Sequence, residues 1–140
     1  MSPAEAPGRP RPVLEGFTAD FYEHCARRDL RFQRCSTCGA WRHPPRVLCA
    51  VCGSTRWSWE PSSGRGQVFS WTVVHQPMHP AFASLVPYAV VVVETTEGVR
   101  IVSNLLDAGP EVLRLGLPVE VAYERLDEEL TLPMFRPTTG

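Results

Sequence analysis

Apolar side chains recur along this chain in two periods, and the switch between them divides it. From Gly16 onward Phe17, Phe21 and Cys25 stand at i, i+4 and i+8 with Tyr22 beside them, while Asp20, Glu23, Arg27 and Arg28 take the other side. That spacing predicts an amphipathic helix, with Thr18 as its N-cap. Asp29 turns the chain, after which Leu30, Phe32 and Arg34 alternate with Arg31 and Gln33 as a strand. Pro44 and Pro45 stiffen an extended arm from Trp41 to Leu48. Trp57 and Trp59, two residues apart, share one side of a further strand and are expected to close this region onto the next.

Ser62 to Gly66 reads as a hinge, and beyond it the period is that of strands. Gln67 to Gln76 is rich in Val, Phe, Trp and Thr, and Tyr88 to Thr96 is too continuously apolar for a half-exposed strand, which suits a barrel interior. Thr95-Thr96-Glu97-Gly98 is a hairpin turn, followed by Val99, Ile101, Ser103 and Leu105 alternating with Arg100, Val102 and Asn104. Glu111 to Leu115 predicts one or two helical turns stopped by Gly116, and strands resume at Val119–Tyr123 and Leu130–Phe135. Five strands with a short helix between the third and fourth describe an OB-type barrel.

Chemistry enters at Cys35-Ser36-Thr37-Cys38-Gly39 and Cys49-Ala50-Val51-Cys52-Gly53, with ten residues between the inner cysteines. Two Cys-x-x-Cys turns joined by a short loop aim four sulfurs at one point, about 2.3 Å from a zinc ion. Gly39 and Gly53 allow each knuckle to curl so that backbone N–H groups face the thiolates. The repeated glycine argues against two disulfides or unconnected thiols, and a redox dithiol needs one such motif at a helix start, not two in tandem. Four thiolates close the coordination shell, so the metal is expected to be structural; iron uses the same ligands, and sequence leaves that choice open. His43 is not needed as a ligand, and Cys25, in the helical pattern, reads as a small buried hydrophobe.

The 140 residues suit one compact domain plus a small module. No apolar run approaches the roughly eighteen residues of a membrane span, and Met1 to Pro12, with Pro3, Pro7, Pro10 and Pro12, lacks a signal-peptide segment and reads as a flexible tail. Metal-spaced cysteines agree with a reducing compartment, so a cytoplasmic location is expected. All fourteen basic residues are arginine, and they are unevenly placed: residues 1–65 hold ten Arg and six Asp/Glu (net +4), residues 66–140 four Arg and nine Asp/Glu (net −5). A nucleic-acid-binding barrel needs a positive groove with aromatic platforms, which a negative barrel half does not favour. The basic ribbon keeps a single-stranded nucleic-acid-binding module as the alternative reading, with Arg42 and Arg46 as anion contacts or a solvated positive face.

The order of these features resembles a family of zinc-ribbon OB-fold proteins associated with acyl-CoA enzymes, long filed as a domain of unknown function. The resemblance covers residues 16 to 137 and rests on the aromatic helix, Arg34-Cys35-x-x-Cys38-Gly39, Pro44-Pro45-Arg46 before Cys49-x-x-Cys52-Gly53, Gly64-Arg65-Gly66-Gln67-Val68, Pro87-Tyr88-Ala89-Val90, the Gly116 turn and Leu132-Pro133-x-Phe135-x-Pro137. It implies a mainly β chain: a tail over 1–14, the helix and lead-in strand over 15–33, a rubredoxin-like zinc ribbon over 34–60 and a five-stranded OB-fold over 61–137. It further implies a non-catalytic partner of a thiolase-superfamily enzyme in a hetero-oligomer, acting on acyl-CoA in thiolysis, steroid side-chain cleavage or C-acyl transfer. The small subunit is then expected to stabilise the catalytic dimer and complete the CoA or acyl channel.

The residues agree in offering no catalytic set. His75 and His79 flank Pro77-Met78 without a nucleophile or oriented carboxylate that the sequence identifies. The proline-rich loop from Gln76 to Pro87 is expected to cover the barrel mouth, with His75 and His79 as substrate or partner contacts. Arg65 and Arg100 are candidate contacts to CoA phosphates. The stripe of Phe17, Phe21 and Tyr22 has two readings, packing on its own domain or docking on the partner.

Overall fold

The computed structural model of the protein describes residues 9–138. Helix α1 covers Gly16–Ala26, and a three-stranded antiparallel sheet follows in the order β2-β1-β3, from β1 (Arg31–Cys35), β2 (Trp41–Arg42) and β3 (Trp57–Pro61). The second sheet comprises β4 (Arg65–Val74), β5 (Tyr88–Thr95), β6 (Arg100–Asn104), β7 (Pro118–Arg125) and β8 (Thr131–Pro137), in the order β6-β5-β4-β7-β8. Its outer strands meet where Leu105 bridges Phe135 in parallel and the Leu106 N–H donates to the Phe135 carbonyl at 2.7 Å. The result is a nearly closed five-stranded barrel with OB topology.

One core runs through all of these elements. Phe21 and Cys25 of α1, Leu30 and Phe32 beside the ribbon, and Val68, Val91, Val93, Val119 and Phe135 of the barrel form a single buried cluster. Along β5 the inward positions Ala89, Val91, Val93 and Thr95 are buried, whereas Val90 and Val92 are only partly covered. The valine run is therefore apolar on both faces although one face is outside; Val92 lies opposite Val102, which is 69% exposed.

Several local expectations are corrected. The N-cap of α1 is Glu15, not Thr18, and it caps without a side-chain hydrogen bond. The chain reverses at Arg28 (φ 57°) and not at Asp29: the Asp29 N–H reaches the His24 carbonyl at 3.0 Å and the Arg28 N–H the Cys25 carbonyl at 2.9 Å, a Schellman close with arginine where glycine is usual. The arm after Trp41 does not run on extended, because β2 ends at Arg42 and the chain bends at His43 and Pro44, joined by a cis peptide. In place of a helix over 111–115 there is a single 3-10 turn at Pro110–Val112, ended by an extended Leu113.

The tryptophan pair grips the helix, and Trp59 also packs on the core shared with the barrel. Trp57 and Trp59 meet edge-on at 5.2 Å, Trp57 receives Phe17 at 5.1 Å, and Trp59 meets His24 at 5.3 Å. The expected hinge at Ser62–Gly66 is tied down at every turn. The Ser62 N–H donates to the Leu30 carbonyl at 2.8 Å, the Ser62 hydroxyl to Glu97, the Ser63 N–H to Glu97 at 3.0 Å, and the Val121 N–H to the Gly64 carbonyl at 2.7 Å. Gly66 crosses β5 so closely that a Cβ there would sit 2.5 Å from the Glu94 carbonyl oxygen, which makes glycine obligatory. Of the proline-rich tail, residues 1–8 lie outside the described residues; from Arg9 the chain follows the barrel, with Arg9 paired to Glu124 at 3.3 Å and Arg11 to Asp127.

His43 sits where helix, ribbon and barrel meet, its ring 4.8 Å from that of Phe21 and 5.3 Å from that of Phe32. Burial pushes its imidazole down from 6.5 to about 4, so the fold holds it neutral. The unfolded chain takes up a proton as pH falls through about 6.5 while the folded chain does not until about 4, and stability is lost across that window. Urea unfolding at about pH 7.5 and about pH 5 is expected to show a loss of about 2 kcal/mol, and His43→Phe is expected to remove that part of the slope.

Candidate metal centre

The four cysteines converge because each knuckle is a tight loop closed on its own backbone. The Cys35 N–H donates to the Ala40 carbonyl at 2.8 Å and the Gly39 N–H to the Cys35 carbonyl at 2.9 Å, with Gly39 at φ 80°. The second knuckle repeats the pattern: the Cys49 N–H reaches the Ser54 carbonyl at 3.0 Å and the Gly53 N–H the Cys49 carbonyl at 2.9 Å, with Gly53 at φ 76°. A Thr37–Ser54 hydroxyl contact of 2.8 Å joins the two loops. The Sγ atoms of Cys35 and Cys52 are 3.6 Å apart, those of Cys38 and Cys49 also 3.6 Å, and all four lie within 4.8 Å of one another. Sulfurs at the corners of a tetrahedron around a metal at about 2.3 Å are about 3.8 Å apart, so the residues fit a thiolate-bound ion.

The electrostatics of the cluster favour a cation. The Cys38 N–H, 3.5 Å from the Cys35 sulfur, draws the Cys35 thiol down to about 6, and the Cys52 N–H lowers Cys49 in the same way. Cys52 is pushed up to about 12: a backbone N–H from Ser54 lowers it, but burial and the hydrogen bonds shared with the other three sulfurs outweigh that. Four thiolates so close do not ionise together unless a metal replaces their protons. His43 is turned toward Phe21 and Phe32, and Cys25 is fully buried in the core with its thiol raised to about 12 by burial.

The other candidate residues are scattered. Arg65 lines a shallow cleft of about 360 Å³ with Gly66, Gln67 and Thr96, and Arg100 lines a different one of about 360 Å³ between ribbon and barrel; Glu94 borders both. His75 is exposed after β4, and His79 caps a 3-10 turn at Pro80–Phe82 by accepting the Ala81 N–H at 3.0 Å on Nδ1. The loop does border the barrel mouth: Phe82 and Leu85 line a cavity of about 250 Å³ with Tyr88, Leu105 and Met134, and Met78 is 88% exposed. The aromatic stripe of α1 is turned inward, with Phe21 only 3% exposed, Phe17 against Trp57 and Tyr22 packed on the core. Phe21 is thus not free to dock on a partner.

Sequence reasoning missed Gln33. The alternation placed it with Arg31, away from Phe32, yet it is fully buried, and its Oε1 accepts from Arg42 Nε at 2.9 Å and from the Arg46 N–H at 2.7 Å. No periodic signal marks such a residue, because its partners arrive from the arm between the knuckles.

Residues 23–58 match the ChsH2 rubredoxin-like zinc ribbon domain and residues 59–124 the ChsH2 C-terminal OB-fold domain. The chain is 45% identical over 129 residues to a probable enoyl-CoA hydratase alpha subunit of Thermomonospora curvata, covering 92% of this chain and 40% of that protein. It is 37% identical to the 3-oxo-4,17-pregnadiene-20-carboxyl-CoA hydratase alpha subunit of Mycobacterium tuberculosis, again spanning only 35% of that protein and 81% of itself. A DUF35 domain-containing scaffold protein of Methanothermobacter thermautotrophicus is 31% identical over 80% of this chain and 85% of its own length. Among solved structures, a chain of the Ltp2-ChsH2(DUF35) aldolase superposes with a TM-score of 0.82 at 44% identity, covering 91% of this chain and 98% of that one. No helix among the described residues is long and apolar enough to cross a membrane. With its four convergent cysteines, ribbon and OB barrel in this order, the chain belongs to the DUF35 family of zinc-ribbon OB-fold proteins.

Proposed function

We propose that this chain is a non-catalytic accessory subunit of a thiolase-superfamily enzyme acting on acyl-CoA thioesters, held in a cytoplasmic hetero-oligomer. It stabilises the catalytic partner and helps form the channel for CoA or the acyl chain. The observation that carries this reading is the likeness to the Ltp2-ChsH2(DUF35) aldolase chain, which this chain covers almost end to end. The names of the Thermomonospora and Mycobacterium relatives add acyl-CoA chemistry, and the second points to a steroid-derived acyl group. Because the chain spans well under half of those two proteins, their hydratase activity is not transferred to it.

His79 is used as a cap, its Nδ1 accepting the Ala81 N–H at 3.0 Å. The apolar cavity under Phe82 and Leu85 supplies a wall for an acyl chain, and Arg65 and Arg100 supply guanidinium groups near the surface for CoA phosphates. Zinc is the ion assigned to Cys35, Cys38, Cys49 and Cys52. When bound it supplies cross-linking of the two knuckles and no open coordination position.

Tagged protein drawn from its native lysate is expected to retain a thiolase-like protein in near-equal amount, identified by mass spectrometry. Retention of nucleic acid without such a protein would overturn the reading. Cys35→Ser or Cys49→Ser is expected to abolish metal content, measured by elemental analysis, and partner retention together, because the metal supplies much of the folding free energy of so small a module. A metal-free variant that still held the partner at full level would refute the structural role.

A further inference from the structure

We infer that the free edge of β4 over residues 69–74 is the docking site for an extended segment of the catalytic partner, which adds to it as a further strand. This rests on the accessory role proposed above and names the surface that serves it.

The edge arises where two barrel strands diverge. β5 pairs along β4 from Gly66 to Val74, but β7 pairs only with Arg65, Gly66 and Gln67. One further exchange follows, the Val68 N–H donating to the Leu117 carbonyl at 2.9 Å and the Gly116 N–H to the Val68 carbonyl at 2.8 Å. The register then slips between Val68 and Ser70, leaving Phe69 as an extra residue, and a bulge of this kind bends its strand. Past that point, among the described residues, the backbone of residues 69–74 hydrogen-bonds to β5 alone. In an antiparallel ladder every second residue turns its N–H and C=O away from the paired strand, so this stretch of about 20 Å presents a row of unpaired donors and acceptors.

Nothing in the sequence guards this edge. Exposed edges are ordinarily blunted by charge or by proline, yet residues 66–76 include no Asp, Glu, Lys, Arg or Pro. Apolar side chains stand there instead: Phe69 is 44% exposed and Trp71 37%. Leu115, 73% exposed, adjoins Gly116 where the gap between β4 and β7 opens. An unguarded edge of this length pairs with whatever strand it meets, which marks it as covered in the working assembly.

Two observations choose the occupant. The unpaired groups are main-chain donors and acceptors at strand spacing, and another extended backbone matches them along the whole length. A second copy of this chain would supply one, but self-pairing along β4 would bring together two barrel halves, residues 66–140, each of net −5. A different protein, neutral or basic around its added strand, meets no such repulsion. β4 also leads straight into the loop that carries the 88% exposed Met78 and, at the barrel mouth, Phe82 and Leu85. A strand added to β4 therefore runs toward that mouth.

The test takes the full metal-loaded chain, alone and with the thiolase-like protein retained by it, through hydrogen–deuterium exchange read by mass spectrometry. Amides of residues 69–74 that exchange fast in the free chain are expected to slow about tenfold or more in the complex. Trp71→Lys is expected to weaken the complex about tenfold, and Thr72→Lys, at an exposed side chain, does the same should Trp71→Lys fail to fold. Val102→Lys, on β6 with β5 between it and β4, is expected to leave the affinity within about twofold, because it lies on the outer face and not at the edge. Unchanged exchange at residues 69–74, or Val102→Lys weakening the complex as much as Thr72→Lys, would overturn this site and leave the accessory role standing. A homodimer of the isolated chain by light scattering, with residues 69–74 protected, would make a second copy the occupant and overturn it as well. Retention of no thiolase-like protein at all would overturn the accessory role itself, and this inference with it.

Discussion

Four sulfurs gathered within 4.8 Å cannot all carry charge unless a cation sits among them, and much of the N-terminal half is built outward from that demand. The ribbon sheet has one strand of only two residues and no helix of its own, too little apolar area to hold a fold alone. A metal held by the four cysteines would cross-link the two knuckles and fix the end of β1 at Cys35. Phe32, three residues earlier, is then presented to Phe21 and His43, and the helix closes over the ribbon through Phe17 and Trp57. Cysteine site, ribbon and helix form one chain of dependence that ends in the core shared with the barrel.

Buried polar groups supply the specificity that apolar packing alone does not. Gln33 positions the arm between the knuckles, and the Tyr123 hydroxyl, on β7, accepts the Leu30 N–H at 2.9 Å, tying the start of the ribbon to the barrel. Glu97, in the β5–β6 turn, accepts from Ser62 and Ser63 where one sheet passes into the other. The Gln33 bonds fix the arm within the ribbon, whereas those of Tyr123 and Glu97 join elements distant in sequence and select one relative placement of ribbon and barrel over slipped alternatives.

Legibility in the sequence followed the range of the interaction. Cysteine spacing, the glycine after each knuckle and the period of α1 are set within a few residues, and they read directly as a metal site and a helix. The five barrel strands were readable because strand composition and alternation are local signals, but the continuously apolar Tyr88–Thr96 was expected to be interior and instead turns Val90 and Val92 outward. What could not be read depends on tertiary neighbours. Gln33 looks solvent-facing until the arm folds over it, and Trp57 and Trp59 show an apolar face without showing that the helix covers it. Ser62–Gly66 has the composition of a hinge, yet Glu97 and Val121 from the barrel immobilise it. Arg65 and Arg100 were singled out, but their separation into two clefts depends on strand pairing and on the packing of the ribbon against the barrel.

The tied passage from ribbon to barrel also has a mechanical meaning. A segment hydrogen-bonded to both neighbours, with Gly66 flush against β5, resists rotation of the ribbon against the barrel, because turning one on the other would break those bonds.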